Sequence, residues 1–205
     1  MDPENVDSFV AQTLKYYQDR SVSFWEGTKD HDVTQNYAAL QSRLPSRKGM
    51  KILDLGCGPG RDLLYFKNRG HNPIGIDGCE NFCEMARENS GCEVWHQDFC
   101  SLKLPRAHFH GVFANASLFH IPRKFLQKVL TELAASLQDG GLLFSSNPRG
   151  SSENFDGQRY GNYMELEDYN AFLKAAGFSV IDHYYRPTGW PREEQPWLAV
   201  VSRKI

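Results

Sequence analysis

Three alternating glycines after a short apolar segment are the residues whose spacing points most clearly to chemistry. Gly56, Gly58 and Gly60 follow the apolar residues 51–55, and a residue without a Cβ lets the backbone turn tightly and approach a ligand closely. The helix predicted next would direct its first N–H groups at the same ligand. Asp77 ends the next apolar segment, about 20 residues after the first glycine, where a carboxylate can accept hydrogen bonds from ribose hydroxyls. This spacing predicts a site for a ligand that contains a nucleoside.

The order of the glycines separates two classes of nucleotide site. A dinucleotide-binding G-x-G-x-x-G pattern that begins at Gly56 requires glycine at position 61, where this chain has Arg61. A nicotinamide-dependent enzyme is therefore the weaker alternative. Gly-x-Gly-x-Gly followed by Asp77 instead resembles motif I of the class I S-adenosylmethionine (SAM) methyltransferases. The resemblance implies SAM as the cofactor, with Asp77 at its ribose and Arg61 beside its methionyl carboxylate.

Two further strand ends extend the predicted cofactor site, because ligands bind outside the carboxyl ends of the strands in open α/β sheets. Asp98 follows the third predicted strand and can accept a hydrogen bond from an adenine amino group, while Phe99 can pack on the ring. Asn115 ends the fourth strand, next to where the transferable methyl group would lie. His120 follows Asn115, and the resemblance implies that it orients the loop rather than acting as a base.

Strand and helix patterns alternate along the chain, which predicts a parallel sheet with helices on both faces. The last two predicted strands are close in sequence and suggest a hairpin, so one strand should run antiparallel to the others. We therefore predict an α/β, Rossmann-like class I methyltransferase fold with a mostly parallel, twisted, seven-stranded sheet. The predicted strands are residues 51–55, 73–77, 93–96, 111–115, 142–146, 179–185 and 197–201.

Helical patterns before the first strand predict an N-terminal helical cover over this sheet. A chain of 205 residues suits one domain, which we divide into a cover (1–48) and a Rossmann-like core (49–205). The motif Asp139-Gly140-Gly141 is expected to end the helix before the fifth strand. The predicted helices are residues 7–19, 31–44, 61–68, 80–89, 122–137 and 166–176.

Composition narrows the range of partners and compartments. The formal net charge is −2, without a run of Lys and Arg, and no apolar run approaches the length of a membrane span. We expect a small-molecule substrate, no nucleic acid and no membrane. Five cysteines, an odd number, fit a reducing cytoplasm, and the acidic first five residues lack the pattern of a signal peptide. No metal site is predicted, because Cys79 and Cys83 lack further ligands at suitable spacing.

Polar and aromatic residues near the N-terminus and after the fifth strand form the candidate acceptor site. Arg149 and Arg186 each offer a bidentate fork to a carboxylate. Asp32 suits an ammonium group, and it equally suits a helix cap. We expect Tyr17 and Trp25 to cover the cofactor. The candidate acceptor-binding residues are Phe24, Asp32, Asn36, Asn147, Arg149, Tyr160, Tyr185 and Arg186.

Several longer blocks resemble one family more specifically, and the similarity runs from about residue 16 to residue 203. The family is the C-terminal methyltransferase domain of the ovothiol-forming enzymes, which is fused to a 5-histidylcysteine sulfoxide synthase. The resemblance implies methylation of the π imidazole nitrogen of 5-thiohistidine, or of its selenium analogue, with SAM. The blocks that carry it are residues 24–36, 92–99, 112–120, 144–150, and 183–187 together with 195–197.

The same resemblance implies a partner, since the fused members carry a non-haem iron domain. This chain has neither the length nor an iron-ligand cluster for that domain, so we expect a free-standing enzyme that associates with an iron-dependent sulfoxide or selenoxide synthase. Methyl transfer is largely a matter of positioning, and hydrogen bonds that fix the imidazole tautomer would select one nitrogen. We assign that role to Asn115, Asn147 and Tyr185, with Tyr160 as the alternative tyrosine.

Two alternatives to this function stay open. One is a methyltransferase for another small amino-acid-like or heterocyclic acceptor, with transfer to nitrogen or oxygen. The other is a SAM-binding protein without catalysis, which would bind SAM but methylate no small acceptor.

Overall fold

The strands of the computed structural model, which describes residues 6–205, follow the order predicted from the sequence. The strands are β1 (Lys51–Leu55), β2 (Asn72–Asp77), β3 (Glu93–His96), β4 (Phe109–Asn115), β5 (Leu137–Pro148), β6 (Glu153–Phe155), β7 (Tyr160–Asn162), β8 (Phe178–Arg186) and β9 (Trp197–Lys204).

Seven strands form one sheet in the order β3–β2–β1–β4–β5–β9–β8. The first five pair in parallel, and β9 lies antiparallel between β5 and β8. This confirms the predicted seven-stranded, mostly parallel sheet with one antiparallel strand. The strand order reverses direction between β1 and β4, and the crevice at their carboxyl ends is where an open α/β sheet binds ligands.

Helices cover both faces of the sheet, and three of them precede the first strand. The helices are α1 (Val6–Asp19), α2 (Ser21–Thr28), α3 (Thr34–Gln41), α4 (Arg61–Asn68), α5 (Glu80–Ser90), α6 (Arg123–Ser136) and α7 (Leu166–Ala175).

The central strands are buried on both faces because their side chains alternate between them. In β4, Val112 packs into the core cluster that includes Leu130 of α6. Its neighbour Phe113 packs on the other face, with ring centroids 5.6 Å from Tyr37 of α3 and 5.2 Å from Phe66 of α4. The helix α3 is therefore part of the core, and it holds the N-terminal segment against the sheet.

Three features differ from the sequence prediction. The N-terminal segment contains a third helix, α2, whose short sequence has no recognisable apolar period. The strand β5 begins at Leu137, so residues 139–141 lie inside it rather than in a turn, and Gly140 supplies a φ of +72° there. The hairpin of β6 and β7 has three-residue strands, which are too short to show an alternation.

The first five residues, on which the prediction of no signal peptide depends, lie outside the described residues. The division into a cover (1–48) and a core (49–205) stays a prediction. None of the helices in residues 6–205 combines the length and apolar character needed to cross a membrane.

Candidate functional site

A cavity of about 540 Å³ opens at the carboxyl ends of the central strands. Its lining includes residues of the helices α1 and α2, the glycine turn after β1, Asp77 at the end of β2 and Asn115 at the end of β4. The cavity therefore lies at the position that the strand order and the glycine motif predict.

Two glycines of the turn are required by close packing. Gly56 has a φ of +76°, and a Cβ there would lie 2.4 Å from Cβ of Ser117, in the loop after β4. Gly60 has a φ of +94°, and a Cβ there would lie 2.8 Å from Cα of Ala86 in α5. Gly56 and Gly58 line the cavity, whereas Gly60 lets α4 approach α5 and is not among the lining residues.

Asp77 is a buried carboxylate held by the turn. Its Oδ2 accepts a hydrogen bond from the N–H of Gly58 and its Oδ1 accepts one from the N–H of Cys79, both at 2.9 Å. Burial raises the pKa of Asp77 to about 6, although the backbone hydrogen bonds pull it down. Within residues 6–205 no Lys or Arg forms an ion pair with this carboxylate. Its remaining lone pairs suit a ligand that donates hydroxyl hydrogens.

Asp98 and Phe99 lie in the cavity wall after β3. Asp98 also caps a short 3-10 helix, since its Oδ1 accepts a hydrogen bond from the N–H of Cys100 at 2.8 Å. Asp98 therefore caps this turn and still lines the cavity, where the sequence predicts a contact with adenine.

Arg61 lines the cavity, but its guanidinium is bound to its neighbour Asp62. Nε lies 2.7 Å from Oδ1 of Asp62 and Nη2 lies 3.1 Å from Oδ2, while Nη1 donates to the carbonyl of Thr28 at 3.0 Å. The hydroxyl of Tyr37 donates to the same Oδ1 at 2.6 Å. Asp62 is not among the residues predicted from the sequence, where its only signal is an acid in the first turn of a helix next to a candidate arginine.

Asn115 lines the cavity and belongs to a buried hydrogen-bond chain. Its Nδ2 lies 3.4 Å from Oδ2 of Asp62, and its Oδ1 accepts a hydrogen bond from Nδ2 of Asn36 at 2.9 Å. Oδ1 of Asn36 in turn accepts one from the hydroxyl of Tyr184 at 2.9 Å. Asn36 has no exposed surface and does not line the cavity. It therefore lies behind Asn115 and not at the predicted substrate contact.

His120 has both ring nitrogens occupied. Nδ1 lies 2.7 Å from the carbonyl oxygen of Tyr160, which can only accept, so Nδ1 carries the hydrogen. Nε2 then accepts a hydrogen bond from the hydroxyl of Tyr17 at 2.9 Å. Burial lowers the pKa of His120 to about 4, so the ring is neutral at neutral pH. This arrangement favours the orienting role, with His120 tying α1 to the loop after β4.

Two side chains of opposite charge, Asp32 and Arg186, also line the cavity. Arg186 ends β8, at the opposite edge of the sheet from β3, and its Nη2 donates to the carbonyl of Asp32 at 3.2 Å. The N–H of Thr34 donates to the Asp32 carboxylate at 2.9 Å, and this bond lowers the pKa of Asp32. Asp32 is thus ionised at neutral pH while it also supports the start of α3. Trp197, the register partner of Arg186 in β9, lines the cavity beside them.

Arg149 and Tyr185 are not among the residues that line the cavity. The guanidinium of Arg149 donates to the carbonyls of Gln195 and Arg192, both at 2.7 Å, and forms an ion pair with Glu165 at 2.8 Å. The guanidinium of Arg192 lies 3.2 Å from the centre of the Tyr185 ring. These contacts stabilise the loop between β8 and β9, and they occupy the guanidinium donors of Arg149.

Asn147 and Tyr160 are also outside the cavity wall. Oδ1 of Asn147 accepts a hydrogen bond from the N–H of Phe119 at 3.2 Å. Tyr160 is fully buried and its hydroxyl donates to Glu153. The structure therefore does not bring these two side chains to Asn115, with which the sequence analysis had grouped them.

The predicted residues that do line the cavity lie at or just after the ends of strands or in the segment before the first strand. They are Tyr17, Phe24, Trp25, Asp32, Gly56, Gly58, Arg61, Asp77, Asp98, Phe99, Asn115 and Arg186.

Most of the residues that α1 contributes to the cavity lining are absent from the sequence prediction. Val10, Thr13 and Leu14 line the cavity together with Tyr17. Their spacing is that of one face of an amphipathic helix, and this periodicity could have identified them. Trp197 gave no such signal, because a single aromatic residue at the start of a strand does not indicate which face it occupies.

Part of the chain is similar to known methyltransferases. Residues 52–141 match the family model described as a methyltransferase domain. The chain is 30% identical over 106 residues to a malonyl-[acyl-carrier protein] O-methyltransferase of Enterobacter lignolyticus, over 51% of this chain and 41% of the relative. It is 29% identical over 191 residues to phosphoethanolamine N-methyltransferase 1 of Zea mays, over 87% of this chain and 37% of the relative. The matches thus span less than half of either relative.

The fold is shared with solved methyltransferases. The crystal structure of 1,6-didemethyltoxoflavin-N1-methyltransferase of Burkholderia thailandensis, with bound 1,6-didemethyltoxoflavin and S-adenosylhomocysteine, superposes with a TM-score of 0.77 at 21% identity. The superposition covers 100% of this chain and 91% of that chain. The chain therefore has the Rossmann-like fold of the class I, SAM-dependent methyltransferases, and residues 52–141 of this fold are those that match the methyltransferase-domain model.

Proposed function

We propose that this protein transfers the methyl group of SAM to a small zwitterionic acceptor, and that the acceptor atom is the π imidazole nitrogen of 5-thiohistidine or of its selenium analogue. The observation that carries the proposal is that two side chains of opposite charge, Asp32 and Arg186, both line the cavity, with Nη2 of Arg186 donating to the backbone carbonyl of Asp32. The choice of a thiohistidine rests on the resemblance of the sequence blocks to the ovothiol-forming enzymes.

The residues around the glycine turn fit SAM. Asp77 would accept hydrogen bonds from the ribose hydroxyls, and its lack of a cationic partner among the described residues suits such donors. Asp98 and Phe99 would hold the adenine, and Tyr17 and Trp25 would cover the ligand from α1 and α2. SAM supplies a methyl group that is activated by a positively charged sulfur.

The acceptor end suits an amino acid. Arg186 spends one N–H on the carbonyl of Asp32, and the rest of its planar fork can bind a carboxylate. The Asp32 carboxylate, ionised at neutral pH, can bind an ammonium group. Phe24 and Trp197 also line the cavity and offer apolar surface to the ring of an acceptor.

The chain needs no strong base for this reaction. The imidazole nitrogen of the substrate is a nucleophile without deprotonation, because a neutral imidazole nitrogen has a lone pair. His120 lines the cavity and follows Asn115 in sequence, and both of its ring nitrogens are engaged in hydrogen bonds. The protein would instead bind the ring in one orientation, since positioning the attacking atom lowers the barrier. The helices α1 and α2 would exclude water from the reacting groups.

A second acceptor class is supported by the relatives. One of the two relatives named above is an O-methyltransferase and the other is an N-methyltransferase. The alternative function is therefore methylation of another small acceptor on nitrogen or oxygen. The association with an iron-dependent sulfoxide or selenoxide synthase is part of the proposal, and it follows from the resemblance alone.

The test is an incubation of the protein with SAM and 5-thiohistidine, with the methyl position read by NMR and the product mass by mass spectrometry. We expect one methyl group on the π nitrogen. Parallel reactions with histidine and 5-selenohistidine separate a ring-sulfur requirement from a selenium preference. Binding of S-adenosylhomocysteine without methylation of any of these compounds would reject the acceptor class and retain the cofactor.

A further inference from the structure

We propose that a directional hydrogen-bond chain from Tyr184 through Asn36 fixes the amide of Asn115, so that Asn115 meets its ligand as a hydrogen-bond donor. We name Tyr184, Asn36, Asn115 and Asp62 the amide relay. The inference rests on the proposed function only in placing a ligand beside Asn115. It assigns Asn36 and Tyr184, neither of which lines the cavity, as positioning residues.

The direction of the relay is set at Asp62. Arg61 and Tyr37 donate three hydrogen bonds to its oxygens, at 2.7, 3.1 and 2.6 Å. A carboxylate that pairs with a guanidinium is ionised and can only accept. The atom of Asn115 that lies 3.4 Å from Oδ2 of Asp62 must therefore be the amide nitrogen, because an amide oxygen there would be repelled.

This direction then propagates outward from Asn115. Its oxygen faces Asn36, so Asn36 must present Nδ2, at 2.9 Å. Oδ1 of Asn36 therefore faces Tyr184, whose hydroxyl must donate, also at 2.9 Å. Asn36 has no exposed surface, so water cannot satisfy an amide in the wrong orientation, and a reversed link would leave buried polar atoms unpaired.

The relay joins elements that are distant in sequence. Tyr184 and Asn36 are 148 residues apart, and Asn36 and Asn115 are 79 apart. It connects β8, which ends at Arg186, to α3, whose start Asp32 supports, and then to the end of β4. The strand that ends at Arg186 and the helix that begins just after Asp32 thus also support Asn115.

The fixed direction restricts what Asn115 can bind. One hydrogen of the Asn115 Nδ2 points to Asp62. The second hydrogen is therefore the one that Asn115 can donate to a ligand in the cavity. The partner of this second hydrogen must be an acceptor, either a carboxylate oxygen of the cofactor or an unprotonated atom of the methyl acceptor. Affinity for S-adenosylhomocysteine reports the first source, and the KM of the methyl acceptor reports the second.

The test compares Tyr184→Phe with Tyr65→Phe. Tyr65 is the matched control, because its hydroxyl also donates to α3, to Gln41, at 2.9 Å, but outside the relay. We expect Tyr184→Phe to lower kcat/KM about tenfold, the factor that corresponds to one buried hydrogen bond. Tyr65→Phe should stay within about twofold at a similar loss of stability. Equal kcat/KM values for the two variants would overturn the relay.

A readout without turnover separates this inference from the proposed function. Hydrogen exchange of the Asn115 side-chain amide, followed by NMR, should accelerate about tenfold in Tyr184→Phe and stay unchanged in Tyr65→Phe. Asn36→Asp should act more strongly, because a carboxylate cannot donate to Oδ1 of Asn115. If no thiohistidine is methylated but the exchange rates differ as expected, the relay stands and only the acceptor is wrong. Identical exchange in wild type and Tyr184→Phe would refute the relay whatever the acceptor.

Discussion

The glycine-turn side of the cavity and its Asp32–Arg186 side are built from different kinds of contact. Asp77 is held by backbone N–H groups of Gly58 and Cys79, which are 19 and two residues away. Arg186 reaches Asp32 across 154 residues, and the amide relay spans similar distances. The first side depends on a local backbone shape that a short motif encodes. The second depends on side chains that only the folded chain brings together.

This difference explains how one fold can serve many acceptors. The matched family model covers residues 52–141, which include the glycine turn, Asp77 and Asn115 but not Asp32 or Arg186. Relatives can therefore share the cofactor side while their acceptor sides diverge. The predictions below test whether the two sides act separately, beginning with the largest effect.

Asp77→Ala should abolish most of the cofactor affinity. The Kd of S-adenosylhomocysteine, measured by calorimetry, is expected to rise about 100-fold, because two charge-assisted hydrogen bonds to ribose hydroxyls are lost. Asp139→Ala is the control, since Asp139 is exposed and pairs only with Lys204 among the described residues. An unchanged Kd in Asp77→Ala would remove Asp77 from the cofactor site.

Arg186→Met should act on the other ligand. We expect the KM of the methyl acceptor to rise about 20-fold, through loss of a charged hydrogen-bond donor to its carboxylate, while the Kd of S-adenosylhomocysteine changes less than about twofold. Arg106→Met, a change at an exposed arginine away from the cavity, serves as the control. Equal effects on both constants would refute the assignment of Arg186.

Cofactor affinity should also depend on pH through Asp77. Since the pKa of Asp77 in the unliganded protein is about 6, protonation removes the acceptor and the affinity should fall about tenfold between pH 7 and pH 5. Asp77→Asn should show no such dependence. The free energy of unfolding of the unliganded protein should depend on pH in the opposite direction. Because folding raises the pKa of Asp77, the protonated carboxyl stabilises the folded state. This stabilisation is complete below about pH 4 and is lost as the pH rises through about 6. An affinity that stays constant from pH 7 to pH 5 would contradict the prediction.

Arg149→Met should have the smallest effect on activity. Its donors bind Gln195, Arg192 and Glu165, so the change should lower the free energy of unfolding by about 2 kcal/mol, measured by urea denaturation. The KM of the acceptor should change little. A raised KM at unchanged stability would restore the alternative in which Arg149 binds the acceptor carboxylate.

The sequence could predict the sheet and the cofactor side because both depend on local patterns. Buried parallel strands appear as short apolar runs, and the bounds predicted for β3 and α4 agree with the structure. Asp77, Asp98 and Phe99 lie at strand ends, whose position follows from the strands themselves. The prediction failed for β5, where residues 139–141 form a turn in most contexts but here belong to a long strand.

The acceptor side was only partly predictable, because residue type does not indicate where a side chain points. Arg149 and Arg186 looked equivalent in sequence, yet only Arg186 lines the cavity. Arg149 is captured by partners 16 to 46 residues away. Asn36 was predicted as a substrate contact, and its position behind Asn115 depends on Tyr184, which no local pattern connects to it.

The separation of the two sides is tested most directly by titrating 5-thiohistidine into the complex of the protein with S-adenosylhomocysteine, in wild type and in Arg186→Met. We expect 5-thiohistidine to bind the wild-type complex, and its Kd to be about 20-fold higher in the variant, which keeps its affinity for S-adenosylhomocysteine. Equal affinity of 5-thiohistidine for the two proteins, or no binding to the wild-type complex, would contradict it.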